Sequence, residues 1–222
     1  MTSGRYRGPF LNLANLNPRL PLYIMEMKTK ISTALLVCLA AFSGCKDDNN
    51  DREVVKPSEN PITTFIAGVT GFEILRGTTG PWEFGVVFSA SVPGKITQLG
   101  SQMPDPGNYR VLIWEWDTQK LTRQKTVEQT TPGTLALANV EPLAIEPNKK
   151  YVISINSSES GVNKAFYYAH KIGAAEYMPF TIGNILIQEA CYKGTSGPEF
   201  PSTVVGVKYE LYGYPEFTFI PD

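Results

Sequence analysis

Histidine and cysteine are nearly absent from this sequence, which holds one His and three Cys in 222 residues. That scarcity excludes a zinc site built mainly from imidazole and thiolate ligands. A Ser-His-Asp triad has only His170 to build on, and no Gly-x-Ser-x-Gly elbow accompanies it. His170 closes the run Phe166-Tyr-Tyr-Ala-His170 and reads as an exposed strand-end residue. No apolar run approaches the roughly 20 residues that a helix needs to span a bilayer. No Lys/Arg-rich run offers a phosphate-binding patch, so nucleic acid is not an expected partner. Internal repeats, low-complexity tracts, EF-hand loops and phosphate-cradling Gly loops are also missing. The carboxylates Glu83, Glu115, Asp117, Glu176 and Glu189 could serve a glycosidase, but nothing in their spacing pairs them, and solvated surface charge is the default. The chain is therefore read as no enzyme, with no catalytic residue, no metal ligand and no cofactor. A structural Ca²⁺ held by backbone carbonyls and loop carboxylates would leave little pattern and stays open.

What is present begins near the N-terminus. Lys28 and Lys30 precede the apolar run Ile31–Phe42, followed by the small residues Ser43 and Gly44, then Cys45 and the polar burst Lys46-Asp-Asp-Asn-Asn-Asp51. A basic segment, an apolar segment and small residues before a cut make a secretory signal. This pattern resembles the signal peptide and lipobox of a bacterial lipoprotein, with Phe42 where that family prefers Leu. The resemblance implies that Cys45 becomes the first mature residue and carries acyl chains, making the membrane a partner through the anchor. Each buried CH₂ contributes about 0.8 kcal/mol, and stable anchoring takes more than one chain. Lys46-Asp47-Asp48 resembles the export signal of surface lipoproteins in Bacteroidetes. The implied location is the outer membrane, at the cell surface, with the periplasmic face as the alternative. Upstream, Pro18, Pro21, Arg5, Arg7 and Arg19 do not suit a signal peptide, whereas a start at Met25 or Met27 gives a normal one. Residues 1–24 are thus read as an over-long gene start, 25–44 as signal peptide, 45–61 as lipidated Cys and flexible tether, and 62–222 as one folded domain.

The domain's composition points to strands. Cys38 would leave with the signal peptide and Cys45 would be acylated, so Cys191 alone remains and no intramolecular disulfide forms. It lies in the strand-like run Ile185–Tyr192, where a free thiol is expected to be buried. Residues 46–61 are polar, carry Pro57 and Pro61, and read as disordered. Beyond them, turn signals such as Gly80-Pro81, Pro93-Gly94, Pro104-Asp-Pro-Gly107, Pro132-Gly133 and Gly194-Thr-Ser-Gly-Pro198 recur between β-branched and aromatic runs. Strands are expected near Thr64–Leu75, Glu83–Ala90, Lys95–Gln102, Tyr109–Trp116, Leu121–Gln129, Thr134–Ala138, Lys150–Ser157, Ala165–Ala169, Ile185–Tyr192 and Val204–Ile220. In one of them, Tyr151, Ile153 and Ile155 share a face. A short helix is expected only near Gly173–Tyr177. The fold class is all-β, an antiparallel, jelly-roll-like β-sandwich.

Four stretches, taken in order, resemble the bacterial family known as domain of unknown function 4082. They are Glu83–Gly100, with its strand ending in Phe88 before Pro93-Gly94 and Ile96-Thr97; Gly107–Trp114, a Gly, a strand and a Trp; Pro147–Asn156, a turn before Tyr151-Val-Ile-Ser154; and Phe200-Pro-Ser202 before a last strand. The likeness covers roughly residues 68–220. It implies a β-sandwich of a kind often found beside carbohydrate-active or cell-surface modules, and no known activity. One hairpin departs from the family, whose turn there usually runs Asp-x-x-Gly, since Glu115–Lys120 has no Gly.

Aromatics carry the functional reading. The chain has 11 Tyr, 11 Phe and three Trp, most of them expected in the core. Trp114 matches the family's strand Trp and belongs to the core. Trp82 at the start of a strand, Trp116 beside a turn, and Tyr168 are the candidate ligand-binding residues, since aromatics at a sandwich edge can stack on a sugar ring; edge aromatics that merely cap the core are the bland alternative. The expected role is non-catalytic binding of carbohydrate or cell-surface glycan. A structural or adhesion subunit that binds another surface protein through an edge strand, with Val204–Ile220 the place to look, is the runner-up. An enzyme acting on polysaccharide comes third.

Overall fold

Pro61 has no backbone N–H to leave unpaired, which suits it to a first helical position. It opens α1 (Pro61–Gly68), where Ile62 and Phe65 bury one side. The computed structural model describes residues 57–222. After the helix come β1 (Phe72–Gly77), β2 (Trp82–Ala90), β3 (Gly94–Ser101), β4 (Gly107–Glu115), β5 (Leu121–Gln129), β6 (Ala136–Ile145) and β7 (Tyr151–Asn156). A small hairpin, β8 (Ser158–Glu159) and β9 (Val162–Asn163), leads to β10 (Phe166–Lys171). The chain then passes a 3-10 turn at Ile172–Ala174 and forms β11 (Phe180–Ile182), β12 (Ile185–Gly194), β13 (Thr203–Val204), β14 (Glu210–Tyr212) and β15 (Glu216–Pro221).

The fold is an all-β antiparallel sandwich. One layer is a seven-stranded sheet ordered β11-β12-β2-β7-β4-β5, with β13 paired to β12. The other layer consists of two three-stranded sheets, β15-β3-β6 and β1-β10-β14. Alternation sends Phe84, Val86 and Phe88 of β2 and Tyr151, Ile153 and Ile155 of β7 into one core with Ile96, Leu99, Phe217, Phe219, Ala169 and Leu211 of the facing sheets. Phe88 meets Phe217 at 4.5 Å between ring centroids, tying the large sheet to one small sheet. Phe84 meets Phe166 at 4.5 Å and ties it to the other.

The central strands are buried on both faces, and all six residues of β7 are covered. The outward set includes Val87, Leu112, Trp114, Val152 and Cys191, a second apolar cluster packed against Trp116, Leu121 and Phe200. Its cover is the segment 195–202, which lies across the outer face. Gly85 makes room for it, since a Cβ there would sit 2.7 Å from both Pro201 Cγ and Cys191 Sγ. Cys191 is 1% exposed, and burial pushes its thiol pKa up, as expected of a core cysteine.

Several sequence expectations need correcting. The strand expected over Thr64–Leu75 is α1 followed by β1, which starts only after Gly71 turns the chain at a φ of 72°. Asn60 makes no side-chain cap. The helix N-terminus instead finds the Glu216 carboxylate, which accepts from Thr63 N at 2.6 Å and Ile62 N at 3.4 Å. The folded part reaches back before Ile62. Glu59 pairs with Phe219, its carboxylate accepts from Asn184, and Asn60 Nδ2 donates to Phe217 O. The strand expected at Thr134–Ala138 is longer, Ala136–Ile145, and Val204–Ile220 is three short strands rather than one. His170 lies inside β10 rather than past a strand end, half-buried and bonded to Glu210. The Gly-less hairpin turn closes with Gln119 at a φ of 53°, so an ordinary side chain takes the left-handed position. The expected N-terminal extension, the signal peptide, Cys45 and the tether up to residue 56 lie outside the described residues.

Candidate functional site

One of the three candidate aromatics, Trp82, lines a cleft where the large sheet meets β10 and β14. Trp82, Phe84, Phe166, Tyr192 and Tyr212 surround a cleft of ≈ 390 Å³, which Val204, Val205 and Gly206 close on one side and Thr79 on another. β-sheet register assembles it. Trp82 stands opposite Gly194, and its ring packs edge-on to Tyr192 at 5.8 Å. Phe166 lies over Gly77, where a Cβ would come within 2.3 Å of the ring. Tyr168 pairs with Tyr212 across β10 and β14, and their rings stack at 5.3 Å. Tyr168 thus touches a lining residue without lining the cleft itself.

The polar groups beside the cleft are held in place. Trp82 Nε1 donates to Thr79 Oγ1 at 3.1 Å. Tyr212 donates its hydroxyl hydrogen to Glu210 Oε2, and His170 Nδ1 lies 2.9 Å from Glu210 Oε1. A carboxylate only accepts, so the imidazole donates through Nδ1. Burial pushes the Tyr212 pKa up, with Glu210 adding to the effect, so the phenol stays protonated. The sequence expectations omitted Tyr192 and Tyr212. The signal for Tyr212 was the alternation in Tyr209-Glu-Leu-Tyr212, which puts Glu210 and Tyr212 on one face opposite Leu211.

Trp116 is not part of this cleft. It packs on Phe200 at 5.6 Å over the outer face of the large sheet, where Trp114 also contacts Phe200. Trp114 is buried there and donates its indole N–H to Ser154 Oγ at 3.0 Å. Ser154 Oγ donates onward to Glu83 Oε1 at 2.6 Å, and Asn156 Nδ2 and Arg110 NH2 reach Glu83 Oε2 at 2.9 and 3.1 Å. Burial pushes the Glu83 carboxyl up, while Ser154, Asn156 and Arg110 pull it back. Arg110 also donates to the carbonyls of Ser196 and Gly197, clamping the covering segment. Of the other carboxylates named from sequence, Glu115 bonds Lys149 and Thr118 at the hairpin. Among the described residues no group of three or more His, Cys, Asp or Glu side chains gathers as a metal cluster, and no helix is long and apolar enough to cross a membrane.

The buried Trp114, the covering Phe200-Pro201 pair and the strand order account for the motifs that resembled a known family. The model of Domain of unknown function (DUF4082) matches residues 73–209. The chain belongs to the DUF4082 family. No curated protein matches it significantly. In this DUF4082 domain the family match takes in Trp82, Tyr168 and Tyr192 but ends before Glu210 and Tyr212. One wall of the cleft therefore comes from chain beyond the matched region.

Proposed function

We propose that this protein is a lipid-anchored lipoprotein of the outer membrane whose β-sandwich binds carbohydrate, a cell-surface glycan, in the aromatic cleft and does not catalyse a reaction. The observation that carries the reading is the cleft itself, where Trp82, Tyr192 and Tyr212 border a volume of ≈ 390 Å³. Small-molecule sites run to about 300–1,000 Å³ and combine apolar walls with a few placed polar groups. A pyranose presents a face of C–H bonds and a rim of hydroxyls, and flat rings beside fixed hydroxyls match both. Trp116, half-covered by Phe200, has no part in this reading. The anchor reading rests on Lys28–Cys45, with a polar stretch after Cys45 to hold the domain clear of the headgroups.

The test is retardation in native gels cast with a panel of polysaccharides, using the chain with Cys45→Ser so that no acyl group complicates migration. At least one glycan is expected to retard it, Trp82→Ala to abolish the effect, and Trp116→Ala to leave it. Retardation by no glycan sinks the reading. A second reading, docking of a surface protein, draws support from β1, a sheet edge whose Ile74 is 46% exposed. A stoichiometric partner co-purifying from the envelope, lost on Ile74→Lys, would favour it.

A further inference from the structure

The hydroxyls of Thr79 and Tyr212 at the cleft are held with opposite polarity. Thr79 Oγ1 is already the acceptor for the Trp82 indole, so its own hydrogen is free to donate to a ligand. Tyr212 is the reverse case. Its hydrogen is committed to Glu210, so its oxygen is left with lone pairs and acts as an acceptor. One donor and one acceptor suit neighbouring hydroxyls of a neutral sugar, each of which can give and take a hydrogen bond. None of the lining residues is a Lys, Arg or His, so an acidic sugar would find no cation among them. The charged side chain bonded to the wall is the carboxylate of Glu210, and an anion in the cleft would feel it as a like charge.

We infer that the cleft takes neutral sugar units and rejects sugars bearing a carboxylate, with Thr79 as donor, Tyr212 as acceptor and Glu210 as the source of the discrimination. This inference rests on the glycan reading above. His170 is a positioning residue here. Its bond to Glu210 holds the carboxylate that orients the Tyr212 hydroxyl.

The test uses the full chain with Cys45→Ser in affinity gels and calorimetry against neutral glucan, mannan and galactan and against the uronate polymers alginate and polygalacturonate. A neutral polymer is expected to bind and the uronates not. Tyr212→Phe keeps the ring and removes the acceptor, and should weaken the neutral ligand about tenfold, the worth of one hydrogen bond. Glu210→Gln keeps an acceptor for Tyr212 but removes the charge. Measurable uronate binding should then appear, and its absence in this variant overturns Glu210 as the source of the discrimination. Uronate binding by the parent chain as tight as neutral binding, and lost on Trp82→Ala, overturns the charge inference and leaves the glycan reading standing. Neutral binding indifferent to Tyr212→Phe overturns the assigned polarity. Binding to none of the five polymers overturns the inference together with the reading beneath it.

Discussion

Glu216 is fully buried where β15 meets the start of α1, and burial pushes its pKa from 4.5 up to about 7. The backbone N–H groups of Thr63, Ile62 and Phe217 donate to it and pull the value down, but desolvation is the larger effect. A raised folded-state pKa means that the native protein holds this proton more tightly than the unfolded chain does. The stability it contributes is fully present below 4.5 and is lost as pH rises through about 7. Measured against Glu216→Gln in urea melts, the parent protein should lose ~3 kcal/mol of relative stability between about pH 4 and about pH 8. A difference constant across that range would contradict the assignment. Glu216 also explains why α1 was unreadable in the sequence. Thr63, Thr64, Ile66 and Val69 are β-branched and favour strand, and the group that caps the helix lies 153 residues away along the chain. His170 misled for a similar reason, because its partner Glu210 is 40 residues distant.

Among the elements, the covering segment 195–202 makes the large sheet two-sided. Phe200-Pro201-Ser202 was visible as a motif, but its role was not, because a loop that packs on a sheet face has no periodicity to reveal it. Arg110 clamps the segment while pairing with the sealed Glu83. Arg110→Ala leaves that carboxyl buried without its cation, so it should cost ~3–5 kcal/mol and speed amide hydrogen exchange across 195–202. Unchanged exchange there would mean that the segment holds by packing alone. Gly85→Ala puts a methyl group 2.7 Å from both Pro201 Cγ and Cys191 Sγ and should loosen the same segment together with the apolar cluster beneath it. At the β4–β5 hairpin, Gln119 sits at a φ of 53°, which costs a side chain roughly 1–2 kcal/mol that glycine avoids. Gln119→Gly should therefore raise the midpoint of thermal unfolding. The strands themselves were the most legible part of the chain, because β2, β4 and β7 are rich in β-branched and aromatic residues and each follows a turn with Gly or Pro.

For the whole molecule, strand register brings residues from distant segments into one cleft. Trp82 was legible as an edge aromatic, but the cleft it shares with Phe166 and Tyr212 depends on β10 and β14 forming a separate sheet against β2, which one-dimensional spacing does not encode. Trp116 had the same sequence credentials, and the covering segment put it elsewhere. The anchor belongs to this scale as well. Cells expressing the full chain and fed labelled fatty acid should yield a labelled membrane-bound protein, and Cys45→Ser should yield an unlabelled one. The most direct test of the central claim follows the indole N–H signals of the three tryptophans in a ¹H–¹⁵N spectrum while a retarding glycan is added. The account predicts that the Trp82 signal moves while those of Trp114 and Trp116 stay. Movement at Trp116 with Trp82 unmoved would contradict it and place binding on the opposite face of the large sheet.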